Sequence, residues 1–156
     1  MKTQIGYFIP EFPGQTHTWI WREYQAMLDI GMTPHMISTR RPNTQIAHLW
    51  AQKAQAVTDY LIPFDIKDFV NIPLELIKAG PIAWWRCLSV IANTQNISFS
   101  QRFYYLILVV MGAKLAWLAR TQGWHHVHVH SCGNAANIAL FASILSDITY
   151  SVALLG

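Results

Sequence analysis

The alternation of two hydrophobic patterns along the chain is the feature that most limits how it can fold. Short apolar segments bounded by glycine, proline or polar residues predict strands at residues 4–9, 34–38, 56–61, 125–130 and 149–154. Helical spacing predicts helices at residues 16–30, 44–54 and 133–147, and two or three more within residues 66–120. This order favours a parallel sheet with helices on both faces. With right-handed crossovers, the expected fold is α/β and Rossmann-like, and residues 1–156 form one domain.

Individual residues predict where several of these helices begin, break and end. Thr16 or Thr18 is expected to cap the first helix, because a hydroxyl can accept a hydrogen bond from the first turn. Gly31 is expected to end that helix. Pro73 and Gly80–Pro81 are expected to interrupt the long helical segment.

The composition is unusually apolar for a domain that is surrounded by water. Apolar residues make up 53% of the chain and charged residues 12%, against about a quarter charged in ordinary soluble domains. Part of the surface is therefore expected to meet a partner domain or a membrane.

The longest apolar run, residues 103–113, is shorter than the roughly 20 residues of a membrane-spanning helix, and no signal peptide is evident. Cys87 and Cys132 are predicted to be free thiols of a cytoplasmic protein.

The positive charges are concentrated in one stretch of the chain. The net charge of +3 does not indicate nucleic-acid binding. Between Leu76 and Trp124, however, the chain has no acidic residue, and its cations there are Lys78, Arg86, Arg102, Lys114 and Arg120. A basic, aromatic-rich stretch suits contact with anionic lipid or phosphate. It also suits helices whose cations extend past apolar faces into water. Both interpretations stay open on the sequence.

The first candidate site follows the first predicted strand. Ligands of open parallel sheets bind outside the carboxyl ends of the strands. Gly14, Gln15, Thr16 and His17 lie there, before the N-terminus of a helix, where N–H groups favour an anion and a glycine permits a close approach. The run is neither a G-x-G-x-x-G motif nor a P-loop. A plain turn with a helix cap is the alternative, and these residues alone favour it.

The second candidate site is a histidine-rich strand. His126, His128 and His130 alternate and should share one face. His130, at the carboxyl end, is predicted to reach the crevice as a ligand for sugar or phosphate, whereas His125 and His126 are predicted to be packed or solvated. A metal site is disfavoured, because alternate strand positions lie about 7 Å apart. Glu11 is predicted to be a solvated loop acid. Neither a Ser-His-Asp order nor a pair of carboxylates indicates a hydrolase.

Residues 11–23, with the sequence EFPGQTHTWIWRE, carry a family resemblance. They resemble the opening of bacterial family 4 glycosyltransferases of the exopolysaccharide and colanic-acid type, where a first strand leads into a Pro-x-x-Ser-x-Thr-Phe pattern and a helix with an Arg-Glu pair. The likeness continues through Leu28, Gly31, Ser38, Arg40, Arg41 and Pro42. The VHVH run at 127–130, the small-residue helix after it and Thr149-Tyr150-Ser151 are similar to the family's His-x-His and Pro-Tyr-Ser strands.

The resemblance implies the N-terminal, acceptor-side half of a GT-B enzyme, in which two Rossmann-like domains face each other across a cleft. It implies a retaining transfer without a bound metal or other cofactor. Gly14, Gln15 and Thr16 would lie beside the donor phosphates or the acceptor, and His130 and His17 would be the catalytic residues. The implied partners are a nucleotide-sugar, a glycan or lipid-linked acceptor and a donor-binding domain or subunit, with an anionic membrane as a further candidate. The expected location is the cytoplasm, at the inner face of the plasma membrane.

Three positions depart from the family pattern. Thr16 replaces the usual serine, His17 replaces the usual acid, and Leu155 stands where relatives often have a cleft histidine. The expected donor-binding half must come from another stretch of chain or another subunit, because a domain takes on the order of 150 residues. A non-catalytic remnant or a membrane-apposed binding module is the second hypothesis, and a small metal-binding protein is the third.

Overall fold

The computed structural model describes residues 3–43 and 48–154. Its elements in chain order are β1 (Gln4–Glu11), α1 (Thr18–Asp29), β2 (Thr33–Arg40), α2 (Leu49–Val57), β3 (Thr58–Tyr60), α3 (Asp68–Asn93), α4 (Phe99–Gln122), β4 (His126–Val129), α5 (Asn134–Leu145) and β5 (Thr149–Val152). The strands form one parallel sheet in the order β3-β2-β1-β4-β5. The predicted α/β, Rossmann-like fold is confirmed.

Both faces of the sheet carry helices, as predicted, because β1 alternates apolar side chains between them. Phe8 packs into the core formed with α3, α4 and α5. Tyr7 and Ile9 point to the opposite face and pack in a second core with α1 and α2. A strand whose successive side chains are all apolar is typical of a parallel sheet that is buried on both faces.

The sheet reverses its strand order between β1 and β4. β2 and β3 follow on one side of β1, whereas β4 and β5 lie on the other side. Phe8 is paired with Val129, and the next N–H along β4, that of His130, donates to the carbonyl of Phe8 at 2.9 Å. The loops that leave the carboxyl ends of β1 and β4 therefore begin side by side. Open α/β sheets bind ligands at such a switch point.

The boundaries of the first helix are partly as predicted. Gly31, at φ +87°, ends α1 with the hydrogen bonds Gly31 N–H to Leu28 O and Met32 N–H to Met27 O, both 3.0 Å. The predicted cap is wrong: His17 is the N-cap residue, and its side chain makes no cap hydrogen bond. The imidazole instead turns back toward Gly14.

The second helix ends later than predicted, and the strand after it begins later. Residues 44–47 of the predicted helix lie outside the described residues. From Leu49 the helix continues to Val57, and β3 therefore begins only at Thr58.

Residues 66–120 fold into an antiparallel hairpin of two long helices. Gly80, at φ +81°, is non-helical and kinks α3 just before Pro81. Across the kink, Trp84 Nε1 donates to the Leu76 carbonyl at 2.7 Å. Ser98 and Gln101 form a capping box at the start of α4.

α4 is long and apolar enough to cross a membrane by length and composition, a test that core helices of α/β domains also pass. Half of that stretch is buried in the domain. There Lys114 Nζ donates to Asp68 Oδ2 at 2.7 Å and to Leu61 O at 2.9 Å. The interpretation that the basic side chains extend into water is therefore wrong for Lys114, which is 5% exposed.

Cys87 is buried and Cys132 exposed, and both are free thiols.

Candidate functional site

The loop after β1 is held in place through the backbone of Phe12. The Phe12 N–H donates to Ser38 Oγ at 3.0 Å, and the Tyr60 hydroxyl donates to Phe12 O at 2.8 Å. Ser38 is fully buried on β2. Side chains from β2 and β3 therefore fix the start of the loop that the sequence singled out.

Gly14 and His17 form a closed turn within this loop. The Gly14 N–H donates to His17 Nδ1 at 2.9 Å, and the His17 N–H donates to Gly14 O at 3.0 Å. A Cβ atom at Gly14 would lie 2.8 Å from His17 Nδ1. The glycine thus leaves room for the imidazole. Its N–H, which the sequence offered to an anion, is already used.

The hydrogen bond from Gly14 also fixes the tautomer of His17. Because Nδ1 accepts the hydrogen bond from Gly14, the neutral ring carries its hydrogen on Nε2. Burial lowers the pKa of His17 below its ordinary value, and the Glu11 carboxylate opposes that shift. Near neutral pH, His17 therefore offers one N–H donor from a neutral ring.

His130 forms the facing wall of the site. Its ring centroid lies 4.6 Å from that of Tyr7, 5.6 Å from that of Trp19 and 4.8 Å from that of His128. Both ring nitrogens are shielded from solvent, and neither has a hydrogen-bond partner among the described residues. Burial lowers the pKa of His130, His128 lowers it further, and Glu23 opposes the shift. A shielded imidazole without partners is costly unless a ligand or water satisfies it.

A cavity of about 280 Å³ joins the two walls. His17, His130, Trp19, Ser131 and Glu11 are among the residues that line it. The prediction that Glu11 is a loop acid is wrong, because Glu11 is the last residue of β1. Its side chain stays 38% exposed, and its Oε2 lies 3.0 Å from Arg40 Nη2 in an ion pair.

The structure brings only some of the predicted site residues to this cavity. His17 and His130 both line it, and Gly14 supports it through the His17 ring. Gln15 and Thr16 are exposed in the loop and do not line the cavity. Leu155 lies outside the described residues.

Sequence reasoning missed the aromatic and acidic residues that surround His130. Trp19 and Glu23 lie one helical turn apart on α1, and the Tyr7 hydroxyl donates to Glu23 Oε2 at 2.6 Å. Burial and this carboxylate raise the pKa of Tyr7 well above its ordinary value, so the phenol stays protonated. The i, i+4 spacing of Trp19 and Glu23 placed them on one helix face, but only the packing of α1 showed which strand that face meets.

The other strand histidines are engaged with β5. His126 Nε2 lies 2.9 Å from Ser151 Oγ, and His128 Nδ1 lies 2.7 Å from the same atom. His126 Nδ1 also lies 2.7 Å from Thr149 Oγ1. His125 is exposed and His126 half-buried, as predicted. Within residues 3–43 and 48–154, no three His, Cys, Asp or Glu side chains are arranged to hold a metal ion.

A larger cavity of about 740 Å³ lies along the edge strand β3, away from the junction of β1 and β4. Two of its acids already have partners, since Asp68 pairs with Lys114 and Asp59 with His35 Nε2 at 2.6 Å. The hydrogen bond from His35 lowers the pKa of Asp59. The cavity lined by His17 and His130, which we call the switch-point cavity, holds an imidazole without a partner within residues 3–43 and 48–154 and is therefore the stronger candidate site.

No family model, curated protein or solved structure matches this chain. The fold and the geometry of the cavity are therefore the basis for inferring what the chain does.

Proposed function

We propose that this chain is the acceptor-side domain of a retaining, family 4-like glycosyltransferase. The enzyme would move a sugar from a nucleotide-sugar to a glycan or lipid-linked acceptor, with a GT-B partner domain binding most of the donor. The observation that carries the proposal is the convergence of His17 and His130 on one cavity at the sheet's switch point, with both His130 ring nitrogens unpartnered among the described residues.

The two imidazoles suit the chemistry of a departing nucleoside diphosphate. During transfer, the bond from the anomeric carbon to the diphosphate breaks, and a bond from that carbon to an acceptor hydroxyl oxygen forms. The hydroxyl proton ends on the diphosphate. Neutral His17 offers its Nε2–H, and neutral His130 offers one N–H and one acceptor nitrogen. Donors placed where negative charge develops contribute by electrostatic stabilisation.

The surroundings of His130 support a positioning function for the cavity. Tyr7 and Trp19 pack against the ring, and the bond from Tyr7 to Glu23 holds the strand and helix together at that point. Aromatic walls with a few directed polar groups are typical of small-molecule sites. The cavity has room for part of a substrate, which fits a site completed by a second domain.

Binding can be tested by NMR of the imidazole ring protons. We expect a panel of UDP- and GDP-sugars, with inorganic pyrophosphate as a simpler probe, to shift the His17 and His130 resonances. Bound anion should also raise the pKa of both rings. His125, exposed at the far end of β4, is the internal control. Equal shifts of all histidines, or none at saturating probe, would contradict the assignment.

Transfer can be tested by mixing the chain with the donor-binding domain of a family 4 enzyme and following labelled sugar. His130→Ala is expected to lower the rate by about 10²- to 10⁴-fold, the usual contribution of a positioned acid or base. His125→Ala is the matched control and should leave the rate unchanged. Transfer that survives both His130→Ala and His17→Ala would end the proposal. Binding without transfer would favour a non-catalytic binding module.

A further inference from the structure

The tip of the helical hairpin exposes many large apolar side chains. The second half of α3 and the first half of α4 contribute Ile82 at 72% exposed, Trp85 at 72%, Phe99 at 87% and Phe103 at 64%. The seam between the helices opens there into a groove of about 200 Å³ that Trp84, Leu88 and Leu106 help to line. We call this surface, residues 82–107, the hairpin tip. Contiguous apolar surfaces of this kind mark interaction sites.

The charges around the hairpin tip are of one sign. Between residues 66 and 146 the only acids are Asp68 and Glu75, and both are buried. Asp68 pairs with Lys114, and Glu75 pairs with Arg120. Arg86 is exposed on the hairpin tip, and exposed Lys78, which lies 3.9 Å from the buried Glu75 carboxylate, is just before the tip. No exposed carboxylate lies between residues 76 and 146 to oppose them.

The hairpin tip lies at the same end of the sheet as the cavity. α4 ends beside the amino end of β4, so its first half extends toward the carboxyl ends of the strands. The Asn134 side-chain amide donates to the Tyr104 hydroxyl at 3.1 Å, which ties the first turn of α5 to α4. Asn134 follows Ser131, a lining residue of the cavity, by three positions.

We propose that the hairpin tip docks on the surface of an anionic lipid bilayer and holds the switch-point cavity at the membrane. Exposed tryptophan and phenylalanine enter the headgroup region, and Arg86, with Lys78 beside the tip, attracts anionic lipid. The charge of the patch favours this occupant over a second copy of the chain, because a second copy would bring like charges together. Docking is independent of the proposed function. Only the further step, that the acceptor is lipid-linked, rests on it.

The test is co-sedimentation of the purified chain with vesicles, without any sugar present. We expect binding to vesicles of mixed phosphatidylcholine and phosphatidylglycerol, weak binding to phosphatidylcholine alone, and release by salt. Arg86→Gln should weaken binding about fivefold, the usual effect of one basic residue near an anionic surface. The double variant Trp85→Ser, Phe103→Ser should weaken it by more than about tenfold.

Ile30→Ser is the matched control, because Ile30 is also a large exposed apolar residue, 75% exposed, but directly follows α1, on the sheet face opposite the hairpin. It should bind vesicles like the unmodified chain. All these positions are exposed, and melting curves verify that each variant is folded. Binding that is unaffected by the hairpin variants would overturn the proposal. So would a stable dimer that the double variant dissociates while vesicles bind neither form. A failed sugar-binding experiment would leave the vesicle result unchanged.

Discussion

The two loops that meet at the switch point differ in how completely their polar groups are satisfied. In the loop after β1, the backbone N–H and carbonyl groups of Phe12 and of Gly14 are all hydrogen-bonded, the former to Ser38 and Tyr60 and the latter to His17. In the loop after β4, the His130 N–H is bonded to β1, but its ring nitrogens have no partner within the described residues. The first loop is held by hydrogen bonds, whereas the second contains a shielded ring whose nitrogens a ligand or a water would have to satisfy. A binding site needs both, because rigidity on one side positions what the other side binds.

The largest expected effect on stability comes from removing the support of the first loop. Ser38→Ala should leave the buried Phe12 N–H without its acceptor and lower the free energy of unfolding by about 1–3 kcal/mol. Urea denaturation measures it. Ser131→Ala is the matched change in the second loop, where the hydroxyl accepts the exposed Gly133 N–H at 3.2 Å. It should cost less than about 0.5 kcal/mol. Equal losses would remove the contrast between the loops.

A smaller effect is expected from crowding the closed turn. Gly14→Ala places a methyl group 2.8 Å from His17 Nδ1, so the ring must rotate and the turn loses its bond. We expect a loss of about 1 kcal/mol. The second variant, His17→Ala, and the double variant complete a cycle. If Gly14→Ala costs as much without the imidazole as with it, the glycine serves some other purpose.

The pH dependence of stability is expected to reflect two partly buried imidazole rings, those of His17 and His130. The pKa of His17 and that of His130 are lowered in the folded state, chiefly by burial. Their contribution to stability is therefore fully present above the unfolded histidine pKa of about 6.5, and it is lost as pH falls through the lower folded values. Replacing either ring by glutamine should reduce the acid-side slope, by less than about 1.4 kcal/mol per pH unit. Denaturation series at several pH values measure this. An unchanged slope in both variants would show that other groups cause it.

The smallest effect is expected where polar groups are unsatisfied. His130→Leu removes two shielded nitrogens that bond to no residue the structure describes, so the free energy of unfolding should stay within about 0.5 kcal/mol or rise. His128→Leu, on the same strand, loses the bond to Ser151 and should cost about 1 kcal/mol. Thermal and urea denaturation compare the pair. A large loss for His130→Leu alone would mean that the ring supports the fold, which would weaken its case as a ligand group.

The predictions from sequence succeeded where the pattern is local. The Gly31 helix stop is set by neighbouring residues, and Gly31 adopts the left-handed conformation that glycine tolerates best. The helix cap was missed, because His17 takes the N-cap position and its imidazole bonds the Gly14 N–H instead of the first turn of the helix. The strand position of Glu11 was missed, because β1 extends beyond Pro10 to pair Glu11 with Arg40, the last residue of β2.

The sequence by itself determined that this chain alternates strands and helices and so forms a parallel, two-sided sheet. Periods of two and 3.6 residues are properties of the local backbone, and apolar segments must be buried. Only the tertiary structure decided that His17 and His130 share a cavity, that Lys114 is buried against Asp68, and that the hairpin tip stays exposed beside the site. Those outcomes depend on crossovers that bring distant residues together, and no local pattern specifies which side chains then meet.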